Sequence, residues 1–296
     1  MSPLALIANI TAVMSPVFLI AALGYYWARA DLPYDRAFIT TLMINVATPC
    51  LVFATLLRLR FAAAELATIA SASLICLAVT AAIAFFILRL SSLPLRVYLP
   101  ALIFPNSGNM GMPLCLFAFG ETGLGLAVVY FAVLALAQFT LGPAIAAGSL
   151  DFRQLARTPL LYAVALALAL QALGLDLPRW AANTTTLLGN CAVPLMLLSL
   201  GVALARLRMA GMGRALVMSA LRLALGFAVG VAVASAMGLS GTIRGVVVLE
   251  SSMPVAVFNY LWAVRYDTAP EEVAGMVLAS TALSFVTLPL LLLAVM

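Results

Sequence analysis

The sequence has no histidine and no lysine, and only 8% of its residues are charged. Without histidine the chain lacks the commonest proton shuttle and metal ligand, and an H-E-x-x-H zinc site cannot occur. Neither a G-x-S-x-G nucleophile motif nor a Walker motif is present, and no pair of aspartates lies in an apolar segment. The absences argue against a protease, a serine hydrolase and an ATPase, so we do not expect an enzyme.

Cysteine is also scarce. Each of the four cysteines lies in a different apolar segment, and none forms a C-x-x-C pair: Cys50, Cys76, Cys115 and Cys191. Isolated cysteines in apolar surroundings behave as small buried hydrophobes. We expect neither a disulfide nor a redox centre, and no resident cofactor.

Apolar residues, in contrast, make up 66% of the chain, and the mean hydropathy is +1.19. A soluble domain carries about 25% charged residues, so this composition indicates a multi-pass protein of the lipid bilayer. About 20 apolar residues cross the hydrocarbon core. Ten such spans are predicted, at residues 6–28, 37–57, 66–88, 98–118, 124–147, 158–175, 181–204, 214–237, 243–264 and 271–294.

The basic residues, all arginine, are distributed unequally between the predicted loops. Ten fall on one side, namely Arg29, Arg36, Arg89, Arg96, Arg153, Arg157, Arg206, Arg208, Arg214 and Arg265. Four fall on the other, namely Arg58, Arg60, Arg179 and Arg244. The positive-inside rule places the first set in the cytoplasm and both termini outside. The arginines therefore indicate topology and lipid contact, and no nucleic-acid partner is expected.

The two halves of the chain resemble each other. Residues 40–51 align without gaps to residues 185–196, at an offset of 145, and the prolines of spans four and nine, Pro105 and Pro254, are 149 residues apart. Each half holds five spans, an odd number, so the second half must cross the membrane upside down. We predict an all-α fold of two inverted five-helix repeats, residues 1–150 and 151–296, with a short linker near 151–157.

Two proline-interrupted segments lie inside predicted spans, at residues 104–113 and 249–254. Unpaired backbone groups cost several kcal/mol in hydrocarbon, so such breaks persist only where protein or a water-filled cavity covers them. A pair of breaks, one in each half, indicates a transporter binding site. In the first break, Asn106, Ser107 and Asn109 supply polar groups beside a half-helix N-terminus, which attracts anions. The alternative is a packed kink with local hydrogen bonds.

Glu250, in the second break, is the only acid deep in a predicted span. A carboxylate at that depth suggests a functional role. Three interpretations remain open: a Na⁺ ligand with carbonyls freed by the break, a proton carrier, or an ion-pair partner of Arg222, the only arginine within a span. Arg222 could instead meet an anionic substrate.

Three further asparagines are candidates for the pathway. Asn45 and Asn190 each precede a proline by four residues, and Asn259 follows Ser252 by seven. Each of them either lines the pathway or bonds backbone groups loosened by the nearby proline.

With these residues in view, the chain resembles the auxin efflux carrier family over essentially its whole length. The most specific matches are Phe104-Pro105-Asn106, Gly111-Met112-Pro113-Leu114, Phe119-Gly120-Glu121, Met253-Pro254 and Arg265-Tyr266. Asn45 to Leu51 also looks like that family's second span. The short linker between the halves is similar to that of bacterial members, which implies a bacterial inner (plasma) membrane.

The resemblance implies that helices four and nine cross at Pro105 and Pro254. It further implies a scaffold and a mobile part that work as an elevator, a homodimer, and carboxylate substrates such as auxin, malate or malonate. The distantly similar sodium–bile acid symporters carry a glutamate near the second crossing as a Na⁺ ligand. Glu250 fits that position, with Ser251 and Asn109 as companions, whereas plant auxin carriers have an amide there.

The leading hypothesis is a secondary transporter that moves a small organic anion by alternating access, coupled to Na⁺ or H⁺ through Glu250. The expected substrate ligands are Asn106, Ser107, Asn109, Asn45, Asn190 and Asn259. A potential-driven uniporter or exporter, a bile-acid-like symporter, and a channel or permease subunit are the alternatives.

Overall fold

The computed structural model describes residues 3–59, 62–147, 159–207 and 212–295. These residues are almost entirely helical and contain no strand. The thirteen helices are α1 (Pro3–Arg29), α2 (Arg36–Leu42), α3 (Thr48–Leu59), α4 (Ala63–Leu90), α5 (Leu95–Ile103), α6 (Met112–Ala147), α7 (Pro159–Ala172), α8 (Arg179–Asn190), α9 (Ala192–Arg206), α10 (Met212–Ala236), α11 (Gly241–Ser251), α12 (Val257–Tyr266) and α13 (Pro270–Val295).

Seven continuous helical stretches in the described ranges are long and apolar enough to cross a membrane. They are Thr11–Arg29, Arg36–Leu59, Ala63–Leu90, Ser107–Ala147, Arg179–Arg206, Gly213–Ala236 and Pro270–Leu293. The all-helical membrane class is confirmed. The ten-span inverted repeat remains a prediction, and the repeat boundary at 150/151, the linker near 151–157, and Arg60 and Arg208 lie outside the described residues.

Glycine divides the longest helix. Gly120 has φ 65° and ψ −157°, a left-handed conformation inside α6 that glycine adopts readily. The kink lies between the predicted end of span four, at residue 118, and the predicted start of span five, at residue 124. Residues 107–119 therefore belong with α5 to the broken span four, and residues 121–147 form a separate helix that corresponds to span five.

Proline follows two wide turns. Proline lacks the N–H that would bond to the carbonyl four residues earlier, and at two places in this chain the residues before a proline form a π turn. One π turn, Met43–Ala47, contains Asn45 and precedes Pro49. The other, Ser107–Gly111, precedes Pro113.

The helices pack as two groups. In the first group, α1 packs along α9, and α3 lies between α7 and α8. In the second group, α10 packs on α13 and α11, α4 packs on α5 and α6, and α12 lies against α13 and α6. We call the helices α1–α3 and α7–α9 the first helix group, and the helices α4–α6 and α10–α13 the second helix group.

Small residues bring α1 and α9 into backbone contact, as is usual between membrane helices. A Cβ atom on Gly201 would overlap the carbonyl oxygen of Ala21, and one on Gly24 would overlap that of Leu198. The first helix group therefore tolerates no side chain at these two positions.

We predict that Gly201→Ala lowers the melting temperature of the purified protein in detergent, because overpacking costs about 1–3 kcal/mol. Gly213→Ala is the matched control, since a Cβ there meets nothing within 4 Å. Equal melting temperatures for the two variants would contradict the close packing of α1 and α9.

Candidate functional site

The two broken segments contact each other. Pro105 and Val255 form an isolated antiparallel bridge. The Asn106 N–H donates to the Pro254 carbonyl at 2.7 Å, and the Ala256 N–H donates to the Phe104 carbonyl at 3.2 Å. We call residues 104–106 and 252–256 the junction. Each break thereby satisfies backbone groups that the other leaves open.

Two buried side chains complete this backbone pairing. Asn259 Nδ2 donates to the Phe104 carbonyl at 3.1 Å, and Ser280 Oγ accepts the Val255 N–H at 3.0 Å. Asn259 therefore bonds to the opposite break, and it does not line the cavity described below. Ser280, on α13, went unnoticed in the sequence because it lies far from either break along the chain.

Arg222, on α10, reaches the ends of both broken helices. Its guanidinium donates from Nη1 to the Leu102 carbonyl at 2.7 Å, from Nη2 to the Ser251 carbonyl at 2.6 Å, and from Nε to the Met253 carbonyl at 3.3 Å. Within the described ranges no carboxylate lies within 4.0 Å of it. The geometry therefore shows no ion pair between Arg222 and Glu250.

Glu250, the residue before Ser251 on α11, is fully buried. The Cys115 thiol donates to its Oε1 at 3.7 Å, and its Oε2 has no hydrogen-bond partner. The carboxyl group lies against the backbone of Gly111, where an added Cβ would be 2.7 Å from the carboxyl carbon. Of the expected cation-coupling companions, Ser251 instead donates its hydroxyl to the Val248 carbonyl, and Asn109 faces the cavity.

A cavity of about 60 Å³ lies beside the junction. The first turn of the half-helix that starts at Ser107 and the residues around the start of α12 form one wall. No residue that lines the cavity is charged: its lining is Met43, Ile44, Thr48, Pro105, Asn106, Gly108, Asn109, Phe131, Gln138, Phe139, Leu160, Met196, Ala256 and Phe258. Of the predicted ligands, Asn106 and Asn109 line it, and Ser107 is buried without doing so.

Gln138 is the residue that sequence reasoning missed at this cavity. Its Nε2 and the Nδ2 of Asn106 are both buried without a hydrogen-bond partner. An unsatisfied buried donor costs about 1–3 kcal/mol, so the two amides together favour a ligand that accepts hydrogen bonds. The sequence signal for Gln138 was a single amide in an apolar span. Thr48, which also lines the cavity, gave a weaker signal.

A second cavity of about 60 Å³ shares Asn109, Met43, Ile44 and Phe258 with the first and extends to Tyr34 and Arg36. Arg36 belongs to the loop set predicted to be cytoplasmic. The site thus has a neighbouring space on the side with more arginines.

The larger cavities lie elsewhere, near the end of α3. One of about 550 Å³ is lined by Arg58 and Asp176, and one of about 260 Å³ by Arg58, Glu121 and Asn190. Arg58 and Glu121 form a half-exposed ion pair at 2.5 Å that joins the two helix groups. Asn190 thus lies away from the junction, and Asn45 is exposed and lines neither junction cavity.

The model of the membrane transport protein family matches residues 9–151 and 146–292. The chain belongs to this family. It is the auxin efflux carrier family that the sequence resembles. The chain is also similar to an uncharacterized transporter of Methanothermobacter thermautotrophicus. The two are 30% identical over 267 residues, which cover 86% of this chain and 88% of the relative. The protein is therefore a multi-pass membrane transporter, and its membership agrees with the absence of enzyme motifs.

Contact between Glu250 and Gly111 gives a testable prediction for this carrier. We expect Gly111→Ala to lower the melting temperature, because the added methyl group displaces the carboxyl group in a packed interior. In the background of Glu250→Ala, which empties that space, the same glycine substitution should have little effect.

The four melting temperatures, of wild type, two single variants and the double variant, form a double-mutant cycle. Additive effects would show that Glu250 does not pack on Gly111.

Proposed function

We propose that the protein is a secondary active transporter of a small organic anion, with the anion bound in the cavity beside the junction. The observation that carries this proposal is the cavity's chemistry. It combines the N-termini of two half-helices with two amide donors, on Asn106 and Gln138, that lack partners, and its lining is uncharged. First-turn N–H groups have no intrahelical acceptor, and the helix dipole adds positive potential there.

A carboxylate suits these donors. Hydrogen bonds to a charged acceptor are stronger than neutral ones, so a carboxylate gains more than a hydroxyl or a carbonyl from the same amides. The remaining lining includes Phe131, Phe139 and Phe258, together with aliphatic side chains and Met196. This apolar wall suits the carbon skeleton of a small organic acid, and the cavity of about 60 Å³ must widen to admit one.

Glu250 is proposed as the coupling group, with H⁺ as the ion. Sodium needs several oxygen ligands, and in broken-helix transporters it takes them from carbonyls at the break. Here the carbonyls of Ser251 and Met253 already accept hydrogen bonds from Arg222. The Glu250 carboxyl group faces a thiol and a glycine instead, and a proton needs no other ligand.

The division into two helix groups supports an elevator movement. The junction, Arg222 and Glu250 all belong to the second helix group, whereas the first helix group packs mainly on itself. We propose that the second group carries the site across the first, in a ten-span inverted repeat with both termini outside. We also propose that the protein works as a homodimer in a bacterial inner membrane.

Liposomes containing the purified protein test the anion site. We predict uptake of radiolabelled malonate or benzoate by wild type, and a loss of about tenfold or more for Asn106→Leu, because a hydrogen bond to a charged group contributes about 1.5–3 kcal/mol. Asn45→Leu, outside the cavity, is the control and should transport normally. If neither acid enters wild-type liposomes, or if Asn106→Leu transports like the control, this substrate site is wrong.

Imposed gradients test the coupling ion. A pH gradient should drive wild-type accumulation of the acid, and an equal Na⁺ gradient should not. Glu250→Gln should abolish accumulation while downhill exchange of the acid continues, because the amide cannot carry a proton. If a Na⁺ gradient drives accumulation of the acid, the coupling ion is Na⁺ and the H⁺ assignment is wrong. If Glu250→Gln still accumulates the acid, Glu250 is not the coupling group.

A further inference from the structure

We infer that Arg222 is a cation, fixed to the protein, that holds together the C-terminal ends of α5 and α11, the half-helices before the two breaks. The junction then needs no bound metal ion at these ends. The substrate meets only the N-terminal ends of the half-helices that follow the breaks. This positioning role rests on the proposed function of the junction as a transport site. Arg222 is not among the residues that line the substrate cavity, so we do not assign it as a substrate ligand.

Three nitrogens of one guanidinium bond to carbonyls of two different chain segments. The Leu102 carbonyl belongs to the last turn of α5, and the Ser251 carbonyl to the last residue of α11. The Met253 carbonyl lies in the second break. A planar guanidinium presents its donors in a fixed fork, which suits several acceptors held at defined positions.

The last carbonyls of a helix have no intrahelical donor, and they carry the negative end of the helix dipole. In the middle of a membrane no water compensates them. Two such ends meet at the junction, so a positive charge there stabilises both. Arg222 is 1% exposed and supplies that charge from a third helix, α10.

The packing of α10 fits this role. Gly226 and Gly230 follow Arg222 by one and two turns on the same face. A Cβ on Gly226 would overlap the Ser251 carbonyl oxygen, and one on Gly230 would overlap the Ser251 hydroxyl. The two glycines therefore let α10 approach the end of α11, and the arginine reaches across to α5.

The charge balance of the junction follows. Among the described residues no carboxylate lies within 4.0 Å of the guanidinium, so carbonyl dipoles are its partners. On one side of the junction, Arg222 covers the negative C-terminal ends of α5 and α11. On the other side, the positive N-terminal ends of the half-helices after the breaks face the cavity, together with Asn106. This arrangement favours an anion and disfavours a metal cation at the junction.

Chemical rescue tests the inference without any substrate. Arg222→Ala should lower the melting temperature in detergent and leave a space for a free cation. Millimolar guanidinium should raise the melting temperature of Arg222→Ala and leave that of wild type unchanged. Urea, which has a similar shape and no charge, should do neither. Equal effects of guanidinium and urea on Arg222→Ala would overturn the role of the charge.

A second pair of variants serves if Arg222→Ala does not fold. Arg222→Lys and Arg222→Met keep a long stem, and only lysine keeps a cation. We expect Lys to retain more thermal stability and more malonate or benzoate flux than Met, with Met about tenfold or more below wild type in flux. Arg179→Met, at an exposed arginine, is the control and should match wild type.

The two kinds of failure can be told apart. If wild type moves neither acid, the proposed function fails, and the melting temperatures still decide the role of Arg222. If wild type transports an acid while Arg222→Met matches Arg179→Met in stability and flux, the positioning role fails and the transport function stands. Equal impairment of Lys and Met would also overturn the inference.

Discussion

Every broken helix in a membrane must find partners for the backbone groups it exposes, and this requirement organises the centre of the molecule. Backbone hydrogen bonds join the two breaks, from Asn106 to Pro254 and from Ala256 to Phe104. The remaining groups are reached by side chains from elsewhere, including Asn259 and Ser280. This arrangement leaves the N-terminal ends of the two half-helices facing the cavity, whereas carbonyls at the C-terminal ends are covered by Arg222.

Sequence reasoning predicted the parts of this centre that proline and composition determine. The breaks at Pro105 and Pro254, the polar Asn106 beside one half-helix, and the buried Glu250 all follow from local chemistry. Asn45 lies in the π turn four residues before Pro49, at an exposed position.

The rest depended on contacts between distant segments. Gln138 carried only the weak signal of a single amide in an apolar span, and Ser280 carried none, because their roles arise from what α6 and α13 meet in the folded chain. Arg222 was noticed as a charge within a span, but charge alone suggested Glu250 or a substrate as its partner. Backbone carbonyls have no sequence signature, so the three that it binds could not be anticipated.

The composition of the cavity wall has a consequence for recognition. Asn106, Asn109 and Gln138 belong to the second helix group, whereas Leu160 and Met196 belong to the first. If, as proposed, one group slides past the other with an anion bound, the three amides travel with the anion and the side chains of the first helix group stay in place. Under that proposal the same amides meet the charged end of the ligand on both faces of the membrane, while its length and bulk are tested only where the two helix groups meet.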